Sequence, residues 1–206
     1  MRVAIVGGTG AFGRALAQRL HATGVDVAVG SRDETRAAEL GAVYGVHGAA
    51  NEEVVRDADL VILSVRSKAA LEMARSLADA IGDTPLLSVA ADLRFDAGAV
   101  YPGRLGRSLA EEIADVVRGP VVAGFQSLAA ASLAQPEPPD EDVLVCGDDA
   151  QAKRLALDCG ARLVAGRAVD AGPLAIARAL EGLTALLLNV NRRFGVEAGI
   201  RITNLP

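Results

Sequence analysis

Two lysines in 206 residues, Lys68 and Lys153, leave arginine to carry almost all of the positive charge, and the arginines form no dense run. With a formal net charge of -5, that scarcity excludes a nucleic-acid groove. Cysteine is equally sparse. Cys146 and Cys159 stand thirteen residues apart with neither CxxC spacing nor a nearby histidine, so neither a disulfide scaffold nor a structural metal site is expected. Free thiols in a reducing cytoplasm fit that pattern. Long unbroken apolar runs are missing too. The first one, in MRVAIVGGTG, is cut short by glycines and falls far below the ~20 residues of a membrane span or the length of a signal peptide. The expected location is cytoplasmic, with no membrane and no nucleic acid as partner.

What is present is a chain 51% hydrophobic and 23% charged, enough for one core with a small annex. Runs of Val, Ile and Leu alternate with segments of helical spacing, the pattern of a parallel sheet covered on both faces. Strands are predicted at 2–7, 26–30, 59–65, 85–89 and 120–124. Helices are predicted at 11–23, 33–44, 51–56, 67–81 and 108–117; the last opens on Ser108 with Glu111 at capping-box spacing. His47 is placed in a loop. The stretch QPEPPDED, residues 135–142, reads as a linker or surface loop. It separates a Rossmann-type domain over 1–134 from a small C-terminal α/β domain over 143–206. That second part is expected to form a strand, helix and strand unit, then a long helix over 175–193. The helix is apolar on too many faces for a lone surface helix, and either core packing or a homodimer interface accounts for it.

Gly8-Thr9-Gly10-Ala11-Phe12-Gly13 follows the first strand directly and opens the first helix. In that context the first glycine allows the tight turn, the second admits a pyrophosphate to the backbone, and the third lets helix meet strand. Free N–H groups and the helix dipole hold the anion. The end of the second strand selects the dinucleotide. An acid there would bind the 2′-hydroxyl of NAD, but this chain carries Gly30-Ser31-Arg32, with Arg36 one helical turn on. Ser31 offers a hydroxyl, and Arg32 and Arg36 offer guanidinium forks, which suits the 2′-phosphate of NADP. The bland alternative is a helix start capped by Asp33.

Proton-transfer machinery is scarce. Neither Tyr44 nor Tyr101 has a lysine four residues away, which excludes the short-chain dehydrogenase mechanism. His21 and His47 sit in no acid-base constellation with a carboxylate. The pattern points to hydride transfer in which the second substrate is itself a cofactor and the protein positions two rings. Catalytic side chains are therefore expected to be absent. Cys146-Gly147-Asp148-Asp149 reads as a strand end followed by helix-capping acids, and Asp170-Ala171-Gly172-Pro173-Leu174 as strand end, turn and helix start.

The run MRVAIVGGTGAFGRALAQRL with VGSRDET, then VLVCGDD, VDAGPL and LAIARALEGLTALLLNVNRR, resembles the NADPH-dependent coenzyme F420 reductases, which pass hydride between NADP and an 8-hydroxy-5-deazaflavin. The likeness implies that Thr9, Ser31, Arg32 and Arg36 hold the 2′-phosphate end of NADP. It also implies a cleft where the deazaflavin lies over the nicotinamide, lined by Gln126, Arg178 and Thr184, with Leu128 as an apolar wall. Two segments depart from the family. Its His-Thr-Ile-Pro reads Gln126-Ser127-Leu128-Ala129, and a proline-tryptophan feature after the fourth strand reads Val65-Arg66-Ser67. Arg66 and Lys68 are either solvated, or meet an anionic substrate or the acidic tail of the deazaflavin. Three readings stay open: the deazaflavin enzyme, an NADPH-dependent reductase of a flavin or small imine or carbonyl, and an NADP-binding redox sensor using Gly7, Gly10 and Gly13.

Overall fold

A computed structural model describes residues 1–104 and 106–205. Its first strand, β1 (Arg2–Val6), is buried from Val3 onward, because both faces of the sheet are covered there. The strands β2 (Asp26–Ser31), β3 (His47–Ala50), β4 (Leu60–Leu63) and β5 (Leu86–Ser88) run parallel to it. A hairpin of β6 (Leu93–Asp96) and β7 (Ala99–Pro102) stands apart from the sheet. Then β8 (Val121–Gly124) joins β5 in parallel, β9 (Val143–Gly147) pairs antiparallel with β8, and β10 (Ala168–Asp170) pairs with β9. The eight-stranded order is β10-β9-β8-β5-β4-β1-β2-β3. Strand order reverses between β1 and β4, and ligands of such sheets bind outside that switch point.

Helices α1 (Ala11–Ala22), α2 (Glu34–Tyr44), α3 (Asn51–Val54), α4 (Ser67–Ile81), α5 (Leu109–Ala114), α6 (Ala130–Leu133), α7 (Ala150–Leu163) and α8 (Ala177–Phe194) cover the sheet. One core joins Leu16 and Leu20 of α1 to Cys159 and Leu163 of α7 across Ile5 and Ile62. The other joins Ala74 and Leu77 of α4 to Ile113 of α5 and Leu180 of α8 across Val61 and Leu63. The fold is thus the expected doubly wound α/β one, with β9 and β10 continuing the same sheet.

Local differences from the sequence reading have physical causes. His47 begins β3, paired with Ala28, although HGAA carries no β-branched residue to announce a strand. The hairpin is absent from the sequence reading because its strands are only four residues long and three of the four β6 side chains are exposed, although LRFD does alternate apolar and polar residues. Ser108 caps α5 with a full capping box, as expected, but the helix ends at Ala114 instead of Val117. Residues 135–142 form an irregular segment whose end is anchored. Asp142, fully buried, accepts from the backbone N–H groups of Arg167 and Ile202 at 2.8 Å each and ion-pairs with Arg167 and Arg201.

The two acids after β9 divide their work. Asp149 caps α7, accepting from Ala152 N–H at 2.7 Å, while Asp148 accepts from Leu174 N–H at 3.0 Å and so caps the 3-10 turn (Leu174–Ile176) leading into α8. By length and mean hydropathy alone, Leu174–Phe194 could cross a membrane, a signal that a search for unbroken apolar runs does not raise. In the fold its stripe of Ala177, Leu180, Ala185 and Leu187 is buried, and Glu181 accepts from the first N–H groups of α5. Burial pushes the Glu181 carboxyl up, against those two hydrogen bonds.

Candidate cofactor and acceptor site

The glycine turn is built by close approach. Gly7 takes a left-handed φ of +78°, and a Cβ there would lie 2.5 Å from the Ser64 carbonyl oxygen. Gly8 N–H donates to the carbonyls of Ile5 and Gly30, locking the turn against β2. A Cβ on Gly13 would meet the Gly7 carbonyl oxygen at 2.7 Å, so α1 can start this close to the strand only with glycine. Gly10 caps α1 with no side-chain hydrogen bond and no acid in the first turn, leaving the helix N-terminus free for an anion.

Across the turn, β2 delivers Ser31 to a buried position, Arg32 follows it at the surface, and α2 presents Arg36 there as well. The helix-start reading and the ligand reading coexist. Asp33 accepts from Arg36 N–H at 3.1 Å as the cap of α2, and Ser31 Oγ accepts from Asp33 N–H at 3.1 Å. Neither Arg32 nor Arg36 is ion-paired among the described residues. Both line a cavity of about 440 Å³ with Thr9, Gly10, Ser31 and Asn51. Asn51 was not anticipated from sequence. Its Oδ1 is buried without a partner, an acceptor that a bound nucleoside could satisfy.

A second cavity of about 470 Å³ shares Gly10, Ser64, Val65 and Arg66 with the first, so the two form one groove along the strand ends. Ala11, Phe12 and Gly13 face this second part, opposite Phe125, Gln126, Leu128 and Thr184. Among the described residues its lining holds no Asp, Glu, His, Cys or Tyr. Gln126 is 6% exposed; its Nε2 donates to the Ser88 carbonyl at 3.1 Å, and its own backbone carbonyl accepts from Thr184 Oγ1 at 2.8 Å. The remaining Oε1 is buried and unpartnered. Phe125, just before it, has φ +74°, a strained backbone state held by its surroundings. Arg178 is not brought into this cleft: it is exposed in the first turn of α8. Its charge helps keep Glu111 below the ordinary carboxylate range, behind the dominant hydrogen bonds from Ser108.

Residues 2–92 match the family model described as NADP oxidoreductase, coenzyme F420-dependent. The F420-dependent NADP reductase of Methanothermobacter thermautotrophicus is 35% identical across 100% of this chain and 96% of its own length. The chain belongs to the F420-dependent NADP reductase family. The family's Methanocaldococcus jannaschii reductase is 33% identical over 100% of this chain and 99% of its own. Two solved structures speak to the fold. One from Arthrobacter sp. FB24 superposes with TM-score 0.86 at 24% identity, covering 99% of this chain and 100% of that one. An imine reductase of Streptomyces aurantiacus gives TM-score 0.63 at 21% identity, covering 94% and 61%. The segment matched by the family model holds the glycine turn and the β2 end; Gln126, Leu128 and Thr184 lie beyond it.

Proposed function

We propose that the protein transfers hydride between NADP(H) and the deazaflavin ring of coenzyme F420. The observation that carries this reading is one continuous groove with a phosphate cradle and two arginines at one end that have no ion-pair partner among the described residues, and at the other an apolar cleft whose described lining holds no proton-transfer side chain. Full-length likeness to F420-dependent NADP reductases supports it. When bound, NADPH supplies the hydride and the deazaflavin accepts it.

In this reading the backbone of Gly8, Thr9, Gly10, Ala11, Phe12 and Gly13 holds the pyrophosphate, where free N–H groups and the α1 dipole favour negative charge. Ser31, Arg32 and Arg36 hold the 2′-phosphate, the guanidinium forks giving the geometric match. Leu128 and Phe125 keep water from the facing rings. Thr184 fixes the Gln126 backbone, the Ser88 carbonyl pins its amide, and Oε1 is left to accept a ring N–H. Arg178 is assigned no ring contact. Residues 1–134 bind NADP, and 143–206 complete the cleft through Thr184 of α8. Exposed Leu186 and Phe194 on that helix support a homodimer, and we assign the protein to the cytoplasm.

Mixing purified protein with NADPH and oxidised coenzyme F420 tests this reading, following the deazaflavin absorbance, with riboflavin-type flavins, NADH and no acceptor as controls. Bleaching with the deazaflavin and NADPH is expected. Tight NADPH binding with no bleaching would overturn the enzyme reading in favour of a sensor, and turnover with flavin alone would mean a different acceptor.

A further inference from the structure

Glu181 is buried in α8, 4% exposed, and the site assigned above makes no use of it. Both of its carboxylate oxygens are taken by the start of α5: Oε2 accepts from Leu109 N–H and Oε1 from Ala110 N–H, each at 3.1 Å. Ser108 serves Glu111 N–H in the same turn, so the two elements divide the free donors of α5 between them. A buried carboxylate is a costly partner for two amides, since it must leave water. What it adds is direction. The apolar stripe of α8 resists leaving the core but tolerates sliding along it, whereas two N–H groups fixed in a helix define where the carboxylate sits. Arg104, itself paired with Asp92 and bonded to Glu112, favours the Glu181 charge, and Asp92 opposes it.

One helical turn further along α8 stands Thr184, whose Oγ1 donates to the Gln126 carbonyl at 2.8 Å. At a rise of about 1.5 Å per residue, only about 4.5 Å of helix separates the two attachments, and a slip of one residue rise would carry Oγ1 out of hydrogen-bond range. Gln126 is the cleft residue with the unpartnered Oε1, and Phe125 before it holds φ +74°, a backbone state that its surroundings must maintain. We propose that Glu181 is a positioning residue for the acceptor cleft: by fixing α8 against the start of α5 it sets Thr184 on the Gln126 carbonyl, and so holds Gln126 where the acceptor ring meets it. The consequence for the acceptor rests on the deazaflavin reading above; the hold on Gln126 does not.

Two readouts test this role. In the ligand-free protein the side-chain amide of Gln126 gives a pair of NMR signals, assigned by their loss in Gln126→Met. They should shift in Glu181→Gln and in Thr184→Val, and the double variant should shift them no further than Thr184→Val alone. In the second readout, coenzyme F420 is titrated by fluorescence and NADPH by calorimetry. Glu181→Gln sets an amide NH2 against one N–H of α5, and should weaken F420 about tenfold with NADPH affinity unchanged. Added to Thr184→Val, it should cost less than about twofold more. Losses that multiply in the double variant, a parallel loss of NADPH affinity, or Gln126 signals that stay in place in Glu181→Gln would each overturn the positioning role and leave Glu181 a cap of α5. Glu181→Asp keeps the charge, shortens the reach by a methylene and should behave like Glu181→Gln, so it supplies the comparison if that variant does not fold. If wild type binds no F420 while the Gln126 signals still move as expected, the positioning role stands and the deazaflavin reading falls.

Discussion

At Glu141 a carboxyl is 5% exposed, with Oε2 unpartnered and Gly199 packed so closely that a Cβ there would lie 2.1 Å from it. Burial pushes this group up from 4.5 to about 7, with the Ile200 N–H only partly opposing the shift. A raised acid pKa means that the folded state holds the proton more tightly than the unfolded one. Stability is therefore full below 4.5 and is lost as pH rises through 4.5 to about 7. The neighbouring Asp142 works the other way. Hydrogen bonds led by Ile202 N–H hold it far below the ordinary range, so its contribution is complete above that range and fades only in acid. Glu141 contributes a loss on the order of 3 kcal/mol across that window, and the buried Glu181 carboxyl, also pushed up, adds to it in the same direction. Urea unfolding at about pH 5 and about pH 8 should show a steep loss in wild type and a clearly shallower one in Glu141→Gln, with the Glu181 share remaining; matching slopes would refute it. The thiols play no such part. Burial pushes Cys146 up to about 11 and Cys159 up to about 12, which keeps both protonated at neutral pH.

Among the elements, the β1–turn–α1 unit was the most legible, since the apolar run, the glycine spacing and the helix pattern all sit within one local stretch. Its weak point follows from geometry. In Gly13→Ala the new Cβ would meet the Gly7 carbonyl oxygen at 2.7 Å and the Gly8 Cα at 2.8 Å, both backbone atoms that cannot swing aside. We expect a stability loss of about 2 kcal/mol and loss of measurable NADPH binding by calorimetry, because α1 must move off the turn. Unchanged NADPH affinity in a folded variant would contradict the close-approach argument. The capping box of α5 was legible for the same local reason. The hairpin was not, because its strands bury little, and β3 was hidden by small residues that pair through backbone alone. The cleft was only half legible. Gln126, Leu128 and Thr184 were named through family likeness, yet the Ser88 carbonyl that pins Gln126 is brought near by pairing of β5 with β8, which no local pattern encodes. Asn51 was missed because a single asparagine at a helix start is ordinary capping chemistry.

At the level of the whole molecule, α8 and the hairpin form one surface. Asn189 on α8 accepts from Val100 N–H at 3.0 Å and donates to its carbonyl at 2.6 Å, fixing the hairpin to the helix. Arg192 lies over Phe95 at 5.7 Å. On α8 the large apolar side chains Leu186 and Phe194 are exposed. Exposed large apolar side chains of this kind suit an interaction surface, and in the proposed homodimer they are covered by a second copy. Sedimentation should then give twice the 21.1 kDa chain mass for wild type and the single mass for Leu186→Glu, which places a charge in the contact. The consequence for function comes from position on the helix. Thr184, which holds the Gln126 backbone, is two residues before Leu186, so the same helix bears the cleft and the contact. The monomeric variant should bind NADPH as before, since the glycine turn and β2 lie elsewhere, but should require roughly tenfold more deazaflavin for half-maximal rate. A monomer with unaltered acceptor affinity would show that α8 is positioned by its own core stripe of Ala177, Leu180, Ala185 and Leu187, without help from a partner.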